Sequence, residues 1–400
     1  MNVLFVTTWV LGDSGANAAD IFPRLAVQNE IIGTVIVADF PRNKHHIVAR
    51  QKAEYLRLER GQLWVRYAAR IARKCRQNRI DVVHVFYRQQ NALLLILLRL
   101  CLCVFSPQTQ VVMDHRSVNL AKGPRKLRKM IVNQLMQFFT HHLAGNPWAV
   151  ETNHWAVFRH KHVIDLGYDK LPPAGVLSPT SRVKTVDVWF IGSLKPKNRK
   201  SEFLLDIFGK ISEQQSICSD PTLPKIRFRV AGPASNAQRA RMEKNPAIVY
   251  HGKLPRERLY QTMQTNRGIG LAFMNEEFHG YAPSLKFAEY AALRFQILAS
   301  DTIGLRTQCG RMQLDGVKFL PETVEDWIAA IRQATITFNK PVPVWKNAPK
   351  WSYRHIFQTQ VVGLYESITS NNVPSLKLKS ARYRGSNGQE LTAPAINRPQ

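Results

Sequence analysis

The sequence predicts an α/β protein built from two doubly wound, Rossmann-like domains that face each other across a cleft. Three observations support this fold class. The chain has 400 residues, which suits two domains of average size. Short apolar runs alternate with helical patterns along most of it, and these runs form two series. Continuously apolar strands separated by helices are typical of parallel sheets covered on both faces.

The two series predict eleven strands in all. Each run is short, apolar and followed by a polar turn. The first series comprises 2–8, 33–40, 81–87, 109–115 and 141–146. The second comprises 161–167, 186–193, 226–232, 247–252, 267–273 and 296–301. We therefore expect one parallel sheet from each series.

The domain boundary is predicted where periodicity stops, because 167–185 is rich in Pro, Ser and Gly. This gives an N-terminal domain at 1–170 and a C-terminal domain at 171–350. A helical pattern at 351–370 is long enough to cross back to the first domain. The last segment, 371–400, is polar, basic and rich in Pro, Gly and Asn, and is expected to be a disordered tail.

The charge of the chain is unusual. It contains 56 Lys plus Arg against 28 Asp plus Glu, a formal net charge of +28. Such a field favours a polyanionic partner, either nucleic acid or an anionic membrane surface, although a generally basic, solvated surface gives the same count. We expect no nucleic-acid partner, because the sequence shows no zinc-finger, RNA-recognition or helix-turn-helix signature and its basic clusters have few interleaved aromatic residues.

The sequence predicts a cytoplasmic protein at the inner face of a membrane. The first residues lack the basic region of a signal peptide and are typical of a buried strand. The apolar stretch 91–105 is too short to span a bilayer and contains Arg99, so it is either a buried helix or a helix that grazes the membrane. The basic segment 122–139 either rests on an anionic bilayer or packs on its sheet. Five scattered cysteines indicate reduced core thiols rather than a disulfide framework or zinc site.

Glycines at the ends of second-series strands indicate a place where phosphate could bind. Backbone N–H groups can approach an anion closely at such turns, and nearby cations neutralise it. The alternative is an ordinary solvated turn. The candidates are Gly192, Ser193 and Arg199 after one strand, Gly232 after the next, and Lys253 after the third, where a nucleotide base could lie.

The stretch HGYAPSLKFAEYAAL predicts a helix start that suits a nucleotide sugar. With Ser284 as N-cap, Lys286 lies in the first turn, where a cation opposes the helix dipole by about 0.3–1 kcal/mol unless an anion neutralises it. Glu289 lies one turn further and could accept ribose hydroxyls. The alternative is a Lys286–Glu289 salt bridge, which contributes about 0.2–0.5 kcal/mol.

The first domain is expected to hold the acceptor. Gly12 and Gly15 occupy its first strand–helix loop, where they bind a ligand or serve packing alone. Asp114, His115 and Arg116 end a later strand. A carboxylate or imidazole there could act as base toward an acceptor hydroxyl, and an arginine could bind phosphate. The alternative is a structural network that caps the strand. His84 is expected to be a strand histidine with its hydrogen bonds satisfied.

These segments follow one another in a particular order: a strand followed by GSL, a strand followed by AG, the stretch YHGKLPRERLYQTM, and then PSLKFAEYAAL and ILAS. This order resembles a known family. It is similar to the nucleotide-sugar domain of GT-B glycosyltransferases of the glycosyl transferases group 1 family, over about 186–301. The resemblance implies transfer of a hexose from a nucleotide-diphosphate sugar to a hydroxyl of a lipid- or polysaccharide-linked glycan in cell-surface polysaccharide synthesis. It also implies a site, in which Gly192 and Ser193 approach the pyrophosphate, Ser284, Leu285 and Lys286 its phosphates, and Glu289 the ribose.

Three departures from the family pattern bear on the mechanism. The family usually has a second glutamate eight residues before the first, where this chain has Tyr281; Glu277 replaces it only if the loop is longer. The family's Gly-x-Pro reads Arg294-Phe295-Gln296, and a left-handed Arg294 would cost about 1 kcal/mol. The resemblance implies retention of anomeric configuration, but a further similarity to inverting bacterial exopolysaccharide glucuronosyltransferases keeps inversion open.

We expect no resident cofactor and no metal, since the chain has no Asp-x-Asp pair; the nucleotide sugar is a co-substrate. The expected partners are the nucleotide sugar, a lipid-linked or polysaccharide acceptor and an anionic membrane surface. Two rival functions are a nucleic-acid-binding protein and a non-catalytic GT-B protein that binds a nucleotide or glycan.

Overall fold

The computed structural model describes most of the chain. The described residues are 1–7, 18–39, 53–57, 63–87, 92–115, 140–145, 161–171, 184–195, 200–217, 222–275, 282–338 and 345–370, with single positions at 123, 124, 127, 131 and 280.

Within the described residues, the first sheet has seven parallel strands in the order β3-β2-β1-β4-β5-β6-β7. Their bounds are β1 Val3–Val6, β2 Val35–Asp39, β3 Ala53–Arg57, β4 Val82–Tyr87, β5 Gln110–His115, β6 His141–Ala144 and β7 Lys161–Val163. Helices of this half are α1 Ala18–Val27, α2 Trp64–Gln77 and α3 Ala92–Phe105. One face of the sheet packs on α2 and α3, and the other packs on α1.

The second sheet has six parallel strands in the part of the chain that the structure describes, in the order β10-β9-β8-β11-β12-β13. The strands are β8 Thr185–Ile191, β9 Lys225–Ala231, β10 Ile248–Gly252, β11 Gly268–Ala272, β12 Gln296–Ser300 and β13 Lys318–Leu320. Helices α4 Ser201–Ile217, α5 Asn236–Glu243, α6 Arg256–Thr265, α7 Leu285–Ala292, α8 Ile303–Met312 and α9 Val324–Ile336 cover its two faces.

A closing helix then returns to the first sheet. It consists of α10 Tyr353–Ile356, a π-helical stretch Phe357–Val361 and α11 Val362–Thr369. Its apolar face joins the core that also contains α1 and β1. The chain passes between the two sheets once after β7 and once before α10, and these two segments pair with each other. The Tyr168 N–H donates to the Trp351 carbonyl (3.0 Å), and the Tyr353 N–H donates to the Tyr168 carbonyl (2.8 Å).

The two parallel sheets confirm the predicted fold class, and ten of the eleven predicted strands lie in the expected series. The exception is 161–167, which the sequence grouped with the second series. The structure places Lys161–Val163 at the edge of the first sheet, paired with β6. Two strands were missed: β3, whose sequence AEYLR is half polar, and β13, which has only three residues.

The apolar stretch 91–105 forms α3, but it is buried on one face only. Leu94, Leu95, Leu98 and Leu102 enter the core, whereas Leu93, Leu100 and Val104 are exposed. Within the described residues, no helix combines the length and apolar character needed to cross a membrane. Of the cysteines in this part of the chain, Cys75 and Cys309 are buried, while Cys103 on α3 is exposed, so the expectation that all are core thiols is wrong for Cys103.

Candidate functional site

Three glycine turns end neighbouring strands at one edge of the second sheet. Gly192 follows β8, Gly232 follows β9 and Gly252 ends β10, with φ values of 137°, 147° and 65°. Backbone hydrogen bonds join them, from the Gly192 N–H to the Ala231 carbonyl (2.9 Å) and from the Gly232 N–H to the Gly252 carbonyl (2.7 Å). A Cβ on Gly232 would lie 2.0 Å from the carbonyl oxygen of Gly192. Only glycine fits this close approach, and the edge exposes bare main chain.

Gly192 and Gly232 therefore contribute space rather than hydrogen-bond donors, because their N–H groups are used within the sheet. Ser193 differs from them. Neither its amide nor its hydroxyl forms a hydrogen bond with the part of the chain that the structure describes, and the residue is half-buried. Ser193 thus offers two donors at the end of β8. In a doubly wound sheet, ligands bind where the strand order reverses, and here that point lies between β8 and β11.

Lys286 lies directly against this edge. A Cβ placed on Gly192 would be 2.9 Å from Lys286 Cε and 3.1 Å from its Nζ. The ammonium also lies 4.1 Å from the centroid of the Phe190 ring, a cation–π contact that holds the side chain over β8. The ammonium consequently lies at the sheet edge, in the first turn of α7, and not in bulk water.

The start of α7 is built as predicted, with one difference. Ser284 is the N-cap residue, but its side chain makes no capping bond. The backbone of Ser284 is held instead by Gln308 of α8, which accepts from the Ser284 N–H (2.7 Å) and donates to its carbonyl (3.0 Å). The Leu285 side chain packs against the core of the first sheet. It therefore links α7 to the other half of the molecule.

Glu289 is buried, 3% exposed, and both of its side-chain hydrogen bonds to described residues fall on one oxygen. Arg256 Nη2 donates to Oε1 (2.7 Å), and the Tyr260 hydroxyl donates to the same atom (2.9 Å). The alternative of a salt bridge with Lys286 is therefore not what the structure shows. Oε2 takes part in neither bond, and Arg256 Nη1 is buried without a hydrogen-bond partner in the described residues. One acceptor and one donor thus remain at this pair.

The surroundings of Glu289 keep Arg256 charged and the Tyr260 hydroxyl protonated. Burial lowers the pKa of Arg256, but the Glu289 carboxylate, together with Tyr260, Tyr353 and Asp169, more than offsets this and raises the pKa above its ordinary value. Burial raises the pKa of Tyr260 well above 10, and Glu289 raises it further. Tyr260 therefore remains a hydrogen-bond donor at neutral pH, and Arg256 remains a cation.

The chain turns sharply at the end of α7. Arg294 has a φ of 59°, so it adopts the left-handed conformation that its replacement of a family glycine predicted. Its N–H donates to the Ala291 carbonyl (3.1 Å), and its carbonyl accepts from Arg267 Nε (2.7 Å). These bonds compensate for a conformation that costs about 1 kcal/mol in a residue with a Cβ.

In the first half, Asp114 and His115 end β5 but are buried at 0% and 1% exposure. Asp114 Oδ2 lies 3.1 Å from His84 Nε2, and His84 Nδ1 lies 2.7 Å from the Tyr365 hydroxyl on the closing helix. His84 thus uses both ring nitrogens, as expected of a satisfied strand histidine. The carboxylate is part of a buried network, which matches the structural alternative, and its role as base stays a prediction.

His115 is paired with His142, with 3.1 Å between Nε2 and Nδ1. Burial lowers the pKa of His115 to about 4, and the neighbouring Asp114 opposes this only in part. The imidazole is therefore neutral at pH 7. Neutral imidazole is the form that a general base requires, but His115 is only 1% exposed to solvent.

The remaining predicted positions differ in whether the structure describes them. Gly12, Gly15, Arg116, Arg199, Glu277 and Tyr281 fall outside the described residues. Lys253 is exposed after the Gly252 turn, and Lys200 pairs with Glu322 at 2.7 Å. The sequence did not single out Phe190, Arg256, Tyr260 or Gln308. Arg256 and Tyr260 lie within the stretch LPRERLY, whose spacing on one helix face could have indicated them.

No family model matches the chain, and no curated protein matches it in sequence. Solved structures do. The lipopolysaccharide outer core galactosyltransferase WaaB superposes with a TM-score of 0.60 at 13% identity, over 91% of this chain and 100% of that one. HepE of Anabaena, solved with UDP-glucose, gives 0.60 at 13% identity, over 93% and 99%. WaaG, a glycosyltransferase involved in lipopolysaccharide biosynthesis, gives 0.59 at 11% identity, over 92% and 99%.

The match covers nearly the whole of both chains in each comparison, so both sheets and the closing helix belong to one shared architecture. At identities of 11–13% this similarity concerns the fold. The chain has the two-domain GT-B fold of these glycosyltransferases.

Proposed function

We propose that this protein is a glycosyltransferase that takes its sugar from a nucleotide-diphosphate donor. The observation that carries the proposal is the placement of Lys286 Nζ against the Gly192 turn, at the start of α7 and at the reversal point of the second sheet. A diphosphate there would meet bare backbone, the Ser193 donors and one ammonium. The relatives by fold include an enzyme solved with UDP-glucose, which supports a nucleotide sugar as the ligand.

Glu289 and Arg256 would bind the ribose. Oε2 of Glu289 can accept from a ribose hydroxyl, and Nη1 of Arg256 can donate to a ribose oxygen or to the base. The ammonium of Lys286 would stabilise the negative charge that develops on the leaving diphosphate. Removing one such charge-stabilising group typically lowers kcat by about 10²–10³-fold.

The acceptor in this proposal is a hydroxyl of a lipid- or polysaccharide-linked glycan, bound at the edge of the first sheet near Asp114. The enzyme would work in the cytoplasm, attached peripherally to the inner face of the membrane. The expected outcome is a hexose transferred with retention. The net charge of +28 supports an anionic surface as the working environment.

A thermal-shift screen with UDP-, GDP-, ADP- and CMP-sugars tests the proposal. We expect one nucleotide to raise Tm in a concentration-dependent way, because a ligand that binds only the folded state stabilises it. A labelled sugar from that donor should then appear on an added glycan. If a donor binds but no transfer or nucleotide release is seen with any acceptor, the protein is a non-catalytic GT-B binder. If none of the donors raises Tm, the proposal fails.

A further inference from the structure

The outer face of α3 carries an exposed apolar row. Leu93, Leu97, Leu100 and Val104 recur at intervals of three and four residues, so they lie on one side of the helix. Leu93, Leu100 and Val104 are 55%, 61% and 74% exposed, and Leu97 is partly exposed. The row extends over about 16 Å of helix. Exposed aliphatic side chains in a continuous row indicate a contact surface.

A basic row lies beside it on α2. Arg66, Arg70 and Arg73 follow the same helical spacing and are exposed. Arg73 reaches α3 directly, since its guanidinium carbon lies 5.4 Å from the centroid of the Phe105 ring. Neither helix contains an aspartate or glutamate, although Lys74 on α2 pairs with Glu54 of β3 at 2.6 Å. The two rows together form a surface that is apolar on one side and cationic on the other.

Arg99 adds an independent indication. It is a half-buried arginine within the apolar helix, and its Nε has no hydrogen-bond partner in the described residues. No described carboxylate forms an ion pair with it. A long cationic side chain that lies along apolar surface and ends without an acidic partner is suited to an anion supplied from outside.

We propose that this α2–α3 surface is where the protein rests on an anionic lipid bilayer, with α3 lying in the plane of the interface. The apolar row would enter the boundary between headgroups and acyl chains, while the arginines would meet lipid phosphates. The membrane contact itself does not depend on the proposed function. Only its purpose, which is to reach a lipid-linked acceptor, rests on that function.

Other occupants fit this surface less well. A two-fold dimer whose axis runs across the helices would place the arginine row of each copy against the partner's, without a carboxylate on either helix to compensate. Single-stranded nucleic acid is usually bound by aromatic side chains between the cations, but this row is aliphatic. A bilayer satisfies both rows at once.

Sedimentation of the full chain with vesicles tests the proposal. The vesicles are phosphatidylcholine alone, or a 7:3 mixture with phosphatidylglycerol, and contain no acceptor or nucleotide, so the outcome does not depend on the proposed transfer. We expect binding to the anionic vesicles that weakens as salt is raised. Leu100→Gln with Val104→Gln should weaken it at least tenfold, and Arg66→Gln with Arg73→Gln should weaken it by about fivefold per cation.

The control is Arg332→Gln with Ile336→Gln, which changes an exposed arginine and an exposed isoleucine one turn apart on α9. It should bind vesicles as the natural chain does. Circular dichroism and Tm check that all variants fold, and nucleotide binding should be unchanged in each. The proposal is overturned if the control loses as much binding as the α2–α3 variants. It is overturned equally if these variants abolish a dimer seen by light scattering, or RNA binding, while vesicle binding is absent or unaffected.

Discussion

At the scale of single residues, the candidate site depends on two cations in different environments. Lys286 is half-buried over an aromatic ring, next to a strand end that has no side chain. Arg256 is paired with a buried carboxylate, and its Nη1 has no hydrogen-bond partner in the described part of the chain. A cation held beside exposed main chain suits phosphate, whereas a carboxylate–arginine pair suits hydroxyl groups. The two chemistries match the two parts of a nucleotide diphosphate.

The Arg256–Glu289 pair makes a prediction that separates binding from stability. Arg256→Met alone should lower the free energy of unfolding by about 3–5 kcal/mol, because it leaves the Glu289 carboxylate buried and uncompensated. Adding Glu289→Gln should recover most of this loss, since no charge then remains buried. Donor binding should not recover with it. Urea unfolding and calorimetric titration of the nucleotide measure the two quantities on the same samples.

If donor affinity returns together with stability in the double variant, the pair is structural and does not bind the ribose. Tyr260→Phe serves as the milder comparison, because it removes one hydrogen bond to Oε1 and keeps both charges. We expect it to cost about 1–2 kcal/mol.

At the scale of elements, the strand ends show how close packing and ligand access coincide. The turn after β9 lies so near the turn after β8 that only glycine fits at 232. At 192 the restriction is weaker, since the nearest atoms belong to the flexible end of Lys286. Gly232 therefore allows the two turns to pack closely, whereas Gly192 makes room for the Lys286 ammonium.

A glycine series tests this distinction. Gly232→Ala should destabilise the protein by more than 3 kcal/mol or prevent folding, because the Cβ would clash with backbone and φ is positive. Gly192→Ala should fold with a loss of about 1–2 kcal/mol but displace Lys286 and weaken donor binding. Gly209, within α4 and open around its Cβ position, is the control, and Gly209→Ala should gain about 0.5–1 kcal/mol. Chemical unfolding ranks the three, and an equal loss at 192 and 232 would contradict the assignment.

At the scale of the whole molecule, the first half contains a buried histidine network that the closing helix completes through Tyr365. His115, the next residue after Asp114, is also buried, and its burial makes the stability of the protein depend on pH. The folded-state pKa of His115 is about 4, below the ordinary 6.5, so the unfolded chain binds a proton here at a higher pH than the folded one. The contribution to stability is therefore complete above pH 6.5 and is lost as pH falls toward 4.

The size of this effect is about 3 kcal/mol, from the difference between the two pKa values. Asp114 and His142 lie beside the same ring. A comparison with His115→Gln isolates the contribution of His115. Urea unfolding at pH 7.5 and 4.5 should show a smaller loss of stability for the variant than for the natural chain. Equal losses would mean that His115 does not titrate as described.

The sequence predicted most of the fold because apolar strands of parallel sheets are readable from the chain alone. It failed where pairing decides the outcome. β3 is an edge strand with polar Glu54 and Arg57, so its pattern is not apolar, and Lys161–Val163 was assigned to the wrong sheet because nothing local shows which strand it joins. The start of α7 and the left-handed Arg294 were predictable, since both follow from local rules.

The site was predicted only in outline for a related reason. Lys286 and Gly192 are far apart in the chain, and their contact depends on β8 lying beside β11. The alternative that Glu289 pairs with Lys286, one turn away, is not observed, because Glu289 pairs with Arg256 on another helix. A helix face permits either arrangement, and tertiary packing selects one.

The central claim, that a diphosphate binds where Lys286 meets the Gly192 turn, is tested most directly by calorimetric titration of the nucleotide diphosphate found in the donor screen. The proteins compared are the natural chain, Lys286→Ala and Lys210→Ala, which removes an exposed lysine on α4. The account predicts that Lys286→Ala weakens binding at least tenfold, with Tm nearly unchanged, while Lys210→Ala binds as the natural chain does. Unaltered affinity in Lys286→Ala, or a drop in Tm that accounts for the whole loss of binding, would contradict it.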